Sequence, residues 1–305
     1  MKTILVSIAC YEDIDVLKTV ADLYEQAAYP ARIRTVVILQ TRDPAKYKPL
    51  SQAELYAYPL SWAAGCGKAR AAAIKRYNGE DYFFQTDSHM RFEQGWDQLL
   101  IDELESCPAE KPILSTLPPG FVIKTGEKRP KAYNHIRIYS FYRHLPLTIG
   151  VTIPMEHYVR TELPQSSPGI AGGVLFSRGL LCRELAYDPY MFFHGEEHST
   201  NMRLWTRGYD NFTPRFTFCY HAYRTDQIDH TTVDTLMSVE QTSALHERSV
   251  VRAQVLTGCL PAEQALPEHL IELDRYGLGT ERTIAQWEER FGVSLQQETF
   301  PPLHG

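Results

Sequence analysis

The chain has 305 residues, with 31 Lys and Arg against 37 Asp and Glu for a net charge of −6, and 44% of it is hydrophobic. This globular composition excludes a disordered or fibrous chain, and the mild acidity argues against nucleic acid as a main partner, because phosphate binding leaves a basic footprint. The early apolar run at 4–10 is far shorter than the ~20 residues needed to cross a bilayer, and it lacks a small-residue cleavage site. Six cysteines, no two closer than 37 residues and none in a CxxC pair, read as reduced thiols. The expectation is a cytoplasmic protein without a transmembrane segment.

Residues 4–9 form a near-continuous apolar run rich in β-branched residues, the pattern of a strand buried on both faces. Val16, Leu17, Val20, Leu23, Tyr24 and Ala27 then mark one face of a helix, with Asp13 or Asp15 to cap it and Pro30 to stop it. A second buried strand spans 35–40. This strand–helix–strand opening predicts a parallel pair with a right-handed crossover and hence an α/β sheet. An alanine-rich helix is predicted over 64–77, a strand over 81–86, a helix over 96–104 and a strand over 112–116. Residues 117–168, rich in Pro, Gly, Tyr and Arg, read as a β-rich insertion over one face of the sheet. Strands follow at 172–177 and 215–220, with helices at 197–205 and 234–257, and the remainder reads as a polar tail.

Chemistry concentrates in Phe83-Phe-Gln-Thr-Asp-Ser-His-Met90, where a strand delivers Asp87 and His89 past its carboxyl end, the ligand edge of open α/β sheets. Residues two apart in extended chain point the same way, so the carboxylate and imidazole can converge on a divalent ion; an ordinary Asp-Ser-His turn is the plain alternative. His194-Gly-Glu-Glu-His198 matches the inverted zincin pattern, although Gly195 and the strand-like approach disfavour one helix carrying both His; a loop presenting Glu196 and Glu197 to a pocket fits better. Ala171-Gly172-Gly173 allows close backbone approach to a ligand. His221 and Arg224 end a strand-like segment, and Arg suits a phosphate oxygen. Gly65-Cys-Gly-Lys-Ala-Arg70 opens a helix without Walker spacing, and no G-x-G-x-x-G follows the first strand.

In chain order, Ser7-Ile-Ala-Cys-Tyr11, Lys68-Ala-Arg70, Asp87-Ser-His-Met-Arg-Phe92, Ala171-Gly-Gly173, Gly195-Glu-Glu197, Arg203-Leu-Trp205, His221-Ala-Tyr-Arg224 and Tyr276-Gly-Leu-Gly-Thr-Glu-Arg282 together resemble the hydroxyproline-type polypeptide N-acetylglucosaminyltransferases. These are cytoplasmic enzymes of the GT-A nucleotide-sugar fold, and the polypeptide N-acetylgalactosaminyltransferases are similar at greater distance. The resemblance implies an α/β GT-A-like fold: a central, mostly parallel sheet flanked by helices, with a β-rich insertion and a C-terminal helical segment. Residues 1–225 would form the catalytic domain, with 117–168 as acceptor-side loops, and 226–305 a helical extension packed on it. Asp87, His89 and His221 would hold Mn²⁺ or Mg²⁺. Ala9, Tyr11, Arg70, Asp87, Ser88, Gly172, Gly173, Glu196 and Arg224 would bind the donor, with Asp87 and Glu196 at the chemistry. Two departures stand out. Leu39-Gln-Thr-Arg-Asp43 lacks the acidic nucleotide contact of the distant relatives after the second strand, and Phe193-His194 replaces their Trp-Gly.

The implied activity is metal-dependent transfer, with retention, of N-acetylglucosamine or a related sugar from a UDP donor to a hydroxyl on a protein or glycan. Glu196 is expected to position the sugar rather than act as a covalent nucleophile. Two alternatives stand beside it: a metallohydrolase using Asp87, His89, His194 and His198, and a sugar- or nucleotide-binding module without turnover.

Overall fold

A computed structural model describes residues 1–122, 125, 133–142, 145–154, 162–223 and 238–297. Strand β1 (Ile4–Tyr11) leads into helix α1 (Val16–Glu25), β2 (Ile33–Gln40), β3 (Ala53–Tyr58), α2 (Cys66–Ile74) and β4 (Tyr82–Asp87). Then come β5 (Met90–Phe92), α3 (Trp96–Glu105), β6 (Lys111–Ser115), β7 (Tyr133–Tyr142), β8 (Leu145–Pro154), β9 (Gln165–Ser166) and β10 (Val174–Arg178). The chain continues through α4 (Leu181–Glu184), α5 (Glu196–Trp205), β11 (Tyr209–Thr213), β12 (Cys219–His221), α6 (Val239–Leu256) and α7 (Ile284–Phe291).

The main sheet runs β3-β2-β1-β4-β10-β6-β11-β9. Strands β3, β2, β1 and β4 are mutually parallel, as are β6 and β11, whereas β10 runs against both its neighbours. The sheet is mostly parallel, as expected: parallel from β3 to β4 and mixed beyond it. Period-2 alternation divides β1 between two cores. Ile4, Val6 and Ile8 pack with Val16, Val20 and Leu23 of α1 and with Trp96, Leu100 and Leu104 of α3. Leu5, with Val36, Ile38 and Phe83, packs against Ala69, Ala71 and Ala73 of α2, Leu181 of α4 and Leu204 of α5. Both sheet faces are thus covered, which is why the strands read as unbroken apolar runs. Strands β7 and β8 form an antiparallel hairpin from Tyr133↔Pro154 to Tyr142↔Leu145, giving the insertion its β character.

Four local expectations need correction. Asp15 occupies the N-cap of α1 but makes no side-chain cap; its carboxylate instead receives Arg91 Nη2 at 2.8 Å, and the helix ends at Glu25, well before Pro30. Strand β3 has no sequence signal because its segment lacks β-branched residues and its half-buried and exposed positions do not keep a period of two. The strand expected over 215–220 is confined to Cys219–His221, because Arg215 is drawn to Glu103 of α3 (Nη2 to Oε2, 2.6 Å). The C-terminal segment is no polar tail. A Thr283–Gln286 capping box starts α7, and Trp287, Val293 and Leu295 join Met191, Met202, Trp205 and Ala253 in a third core.

That third core is tied down by Arg252 of α6, fully buried, whose guanidinium donates to Asp188 Oδ2 (2.8 and 3.1 Å) and to the carbonyls of His269 and Ile271 (2.9 and 2.8 Å). Removing one partner of such a pair strands the other charge in a dry site. Arg252→Met is expected to lower stability by about 3–5 kcal/mol, read by urea unfolding, whereas a change below about 1 kcal/mol would show that the pair contributes little.

Candidate functional site

The site gathers at the carboxyl edge of β1 and β4, where Ala9 and Asp87 are register partners. The chain turns sharply at Ser88-His89 into β5, and β5 pairs antiparallel with β12, so that His221 lies opposite Met90 and Ala222 N donates to the His89 carbonyl at 3.1 Å. A short ribbon therefore brings together two His that are 132 residues apart. Helix α1 holds the turn from one face: Thr19 Oγ1 donates to Ser88 O at 2.8 Å and accepts from Met90 N at 2.9 Å, while Asp15 and Asp22, one turn away on either side, receive Arg91 and Phe92 N.

Ligating atoms of Asp87, His89 and His221 all lie within 4.8 Å of one another, and among the described residues no other such group of three exists. His89 Nε2 and His221 Nε2 are 3.0 Å apart, and His221 Nε2 is 3.4 Å from Asp87 Oδ2. The other ring nitrogen of His89 faces Asp13 Oδ2 at 2.7 Å. A proton kept on Nδ1 by that carboxylate leaves the Nε2 lone pair directed into the cluster, the carboxylate–histidine arrangement that supports metal ligands. The three candidate ligands have 27%, 20% and 16% of their side chains exposed, so the cluster is open on one side, as sites that also bind a substrate are. The donor set, one carboxylate and two imidazoles, suits Mn²⁺, Zn²⁺ or Mg²⁺. Burial resists ionisation of Asp87, yet hydrogen bonding from His221 and the charges of Arg70 and the two His hold its carboxyl well below the usual range.

On the opposite flank, Arg70 of α2 is buried and donates through Nη1 to Glu196 Oε2 at 2.8 Å and through Nη2 to Asp87 Oδ1 at 3.4 Å. The hydroxyl of Tyr187 donates to Glu196 Oε1. Glu196, at the start of α5, is buried; desolvation raises its pKa against the pull of Arg70, with neighbouring Glu197 adding to the rise. The Gly172-Gly173 turn closes this flank. A Cβ on Gly173 would fall 2.3 Å from Asp87 Oδ2, and one on Gly172 would fall 2.5 Å from Arg70 Nη1. Gly172 N donates to Glu197 Oε1 at 2.6 Å and its carbonyl accepts from Gln85 Nε2 at 2.7 Å.

The structure thus brings together Ala9, Arg70, Asp87, His89, Gly172, Gly173, Glu196 and His221. Tyr11 sits at the half-buried end of β1 beside Gln40. Ser88 is buried and its hydroxyl donates to Asp13 Oδ2 at 2.6 Å, which places it behind His89. Arg224 lies outside the described residues. Asp13, Thr19, Gln85 and Tyr187 are additions: Asp13 read only as a helix cap, and nothing in the spacing of Tyr187 or Gln85 marks them.

His194 and His198 do not converge. Gly195 is the left-handed N-cap of α5 (φ 83°), so His194 precedes the helix, exposed, with its ring against His246. His198 is buried within the helix, where desolvation pulls its pKa down to about 3. The inverted-zincin reading is not favoured.

A sequence model of the glycosyltransferase (GlcNAc) family matches residues 50–297. The chain belongs to that glycosyltransferase family. Among solved structures, GalNAc-T7 with UDP, GalNAc and Mn²⁺ matches with a TM-score of 0.68 at 16% identity, covering 99% of this chain but only 59% of GalNAc-T7. S. aureus TarS 1–349 in complex with UDP-GlcNAc matches at a TM-score of 0.50 and 13% identity, covering 90% of this chain and 71% of that one. At such identities the likeness establishes the GT-A fold. No curated protein matches the chain by sequence. Among the described residues, no helix is long and apolar enough to cross a membrane.

The geometry gives two expected outcomes. Asp13→Asn should weaken Mn²⁺ binding about 10–100-fold by calorimetry, because the His89 ring loses its anionic partner, with unfolding little changed. In Gly173→Ala the Asp87 carboxylate must swing aside, so metal affinity should fall while circular dichroism stays that of the parent; unaltered affinity in both variants would separate the cluster from metal binding.

Proposed function

We propose that the protein is a metal-dependent retaining glycosyltransferase that moves N-acetylglucosamine, or a related N-acetylhexosamine, from a UDP-sugar to a hydroxyl on a protein or glycan. The carrying observation is the Asp87–His89–His221 cluster at the carboxyl edge of a GT-A sheet, in a chain of a GlcNAc glycosyltransferase family. The GalNAc-T7 and TarS structures, solved with UDP, GalNAc and Mn²⁺ and with UDP-GlcNAc, support the donor class. In this reading Asp87, His89 and His221 hold Mn²⁺ or Mg²⁺, and such an ion, when bound, offsets the charge that develops on the departing diphosphate. Arg70 adds its fixed charge beside that diphosphate. The backbone at Gly172 and Gly173 borders the donor sugar, and Ala9 and Tyr11 border the uridine. Ser88 acts through Asp13 and His89 rather than by touching the donor, and Arg224 is retained as a diphosphate contact. Both Glu196 oxygens already have partners, Arg70 and Tyr187. That favours a carboxylate orienting the sugar over a covalent nucleophile, and the acceptor oxygen attacks from the leaving-group face. The resemblance to hydroxyproline-type enzymes names one acceptor class, with a glycan hydroxyl as the other. Six free cysteines support a cytoplasmic location.

Thermal unfolding tests the reading directly. UDP with Mn²⁺ should stabilise the chain more than Mn²⁺ alone, and His89→Ala should erase the difference. In a nucleotide-sugar panel read by UDP release, Glu196→Gln should lower turnover about 100-fold with UDP–Mn²⁺ affinity nearly intact. His194→Ala should leave bound metal unchanged. If UDP with Mn²⁺ gives no more protection than Mn²⁺ alone, the proposal fails; loss of metal in His194→Ala would revive the hydrolase.

A further inference from the structure

Behind the Glu196 network, on the α2–α4 side of the sheet, lies a cavity of about 190 Å³ whose walls include Ile74, Lys75, Arg183, Tyr187, Arg275 and Tyr276. None of Asp87, His89 and His221 lines it. Lys75 and Arg183 are exposed and have no carboxylate partner among the described residues; Arg183 rests over the Tyr77 ring at 5.6 Å. Arg275 shares its charge with Glu272 at 3.0 Å. A fourth cation stands behind the wall. Arg203 of α5 is wholly buried and donates to the carbonyl of Ala186, a lining residue, with its guanidinium 5.9 Å from the centre of the Tyr276 ring. Its Nε and Nη1 have no hydrogen-bond partner among the described residues. Burial pulls its pKa down to about 10, the direction expected of a cation whose charge is poorly compensated.

We infer that this cavity is a second ligand site, distinct from the candidate metal cluster, which takes a small phosphate-bearing molecule. Buried guanidinium nitrogens without partners are rare and costly; Arg203 does not itself line the cavity, but an anion across the Ala186–Tyr276 wall would add to the partial compensation that Asp188 gives its charge. Lys75, Arg183 and Arg275 at the mouth attract the anion, with guanidinium forks matched to phosphate oxygens. Ile74 and the two tyrosine rings supply an apolar wall for the organic part of the ligand. One wall residue reaches the catalytic side: the Tyr187 ring lines the cavity while its hydroxyl holds Glu196. An occupant therefore touches the side chain that orients the proposed sugar-facing carboxylate.

Thermal unfolding of the full chain with inorganic phosphate tests this. Phosphate at about ten times its dissociation constant should raise the parent Tm by roughly 2 °C or more, with or without saturating UDP and Mg²⁺. Lys75→Ala/Arg183→Ala, two exposed positions, should lose that rise, and Lys75→Arg/Arg183→Lys should recover it. No rise in the parent overturns the inference. So does an equal rise in the double-alanine variant, which would be general salt exclusion. A rise abolished by UDP assigns the phosphate to the donor site and overturns it too. The alanine and charge-conserving arms need no transferase activity, so failure here is separate from failure of the proposed function.

Discussion

A single buried cation, Arg70, sets the arrangement of the site. Burying a guanidinium is costly unless its charge is compensated, and here it has two carboxylates, Glu196 at 2.8 Å and Asp87 at 3.4 Å. The alanine-rich face of α2 lets the helix lie close on β1 and β2, which brings Arg70 over the strand edge. Gly65 starts that helix with φ +98°, where a Cβ would overlap the Phe192 carbonyl at 2.1 Å, so α2 and the segment before Glu196 are locked together by backbone contact. One arginine cannot neutralise Asp13, Asp87 and Glu196 together. Asp13 and Asp87 both stand beside the two imidazoles, and the negative charge Arg70 leaves there is the kind a divalent cation would offset.

Chain topology explains why these groups meet although they are scattered from Asp13 to His221. Strand β10, inserted antiparallel between β4 and β6, places the Gly172-Gly173 turn against Asp87. In a wholly parallel sheet that strand would enter from the far edge and its preceding turn would lie at the opposite end. The β5–β12 ribbon performs the same service for His221. The mixed half of the sheet is therefore what assembles the site, while the parallel half supplies the rigid edge on which it stands.

Much of this was legible in the residues. The buried runs at 4–9 and 35–40 identify a two-sided sheet, and Asp-Ser-His just past an apolar strand marks the ligand edge, since both patterns follow from local periodicity. The partner of His89 in the cluster, His221, came from resemblance, because nothing local to 218–224 says where that segment pairs. What spacing could not reveal is side-chain destination. Asp15 has the position and chemistry of a cap, yet its carboxylate has a stronger partner in Arg91 from another element. Residues 270–297 look polar because their few apolar side chains are far apart in sequence, yet Tyr276, Trp287, Val293 and Leu295 are all buried. Tyr187 carried no motif at all, and its role exists only because Glu196 lies next to it in space.

The two oxygens of Asp87 divide the site. Oδ2 faces His221 at 3.4 Å and Oδ1 faces Arg70 at the same distance, so one carboxylate belongs both to the histidine cluster and to the ion-pair network of Glu196. Its ionisation is favoured from both flanks, which keeps it charged despite burial, and its rotamer is bounded by Gly173 on a third side. A carboxylate so placed cannot move toward one flank without loosening the other. Any change in Arg70 is therefore felt by the two imidazoles through Asp87, and any shift of the imidazoles is felt by Glu196 through the same atoms. That shared carboxylate explains why Gly173, which makes no side-chain contact of its own, is as constrained as the charged residues around it.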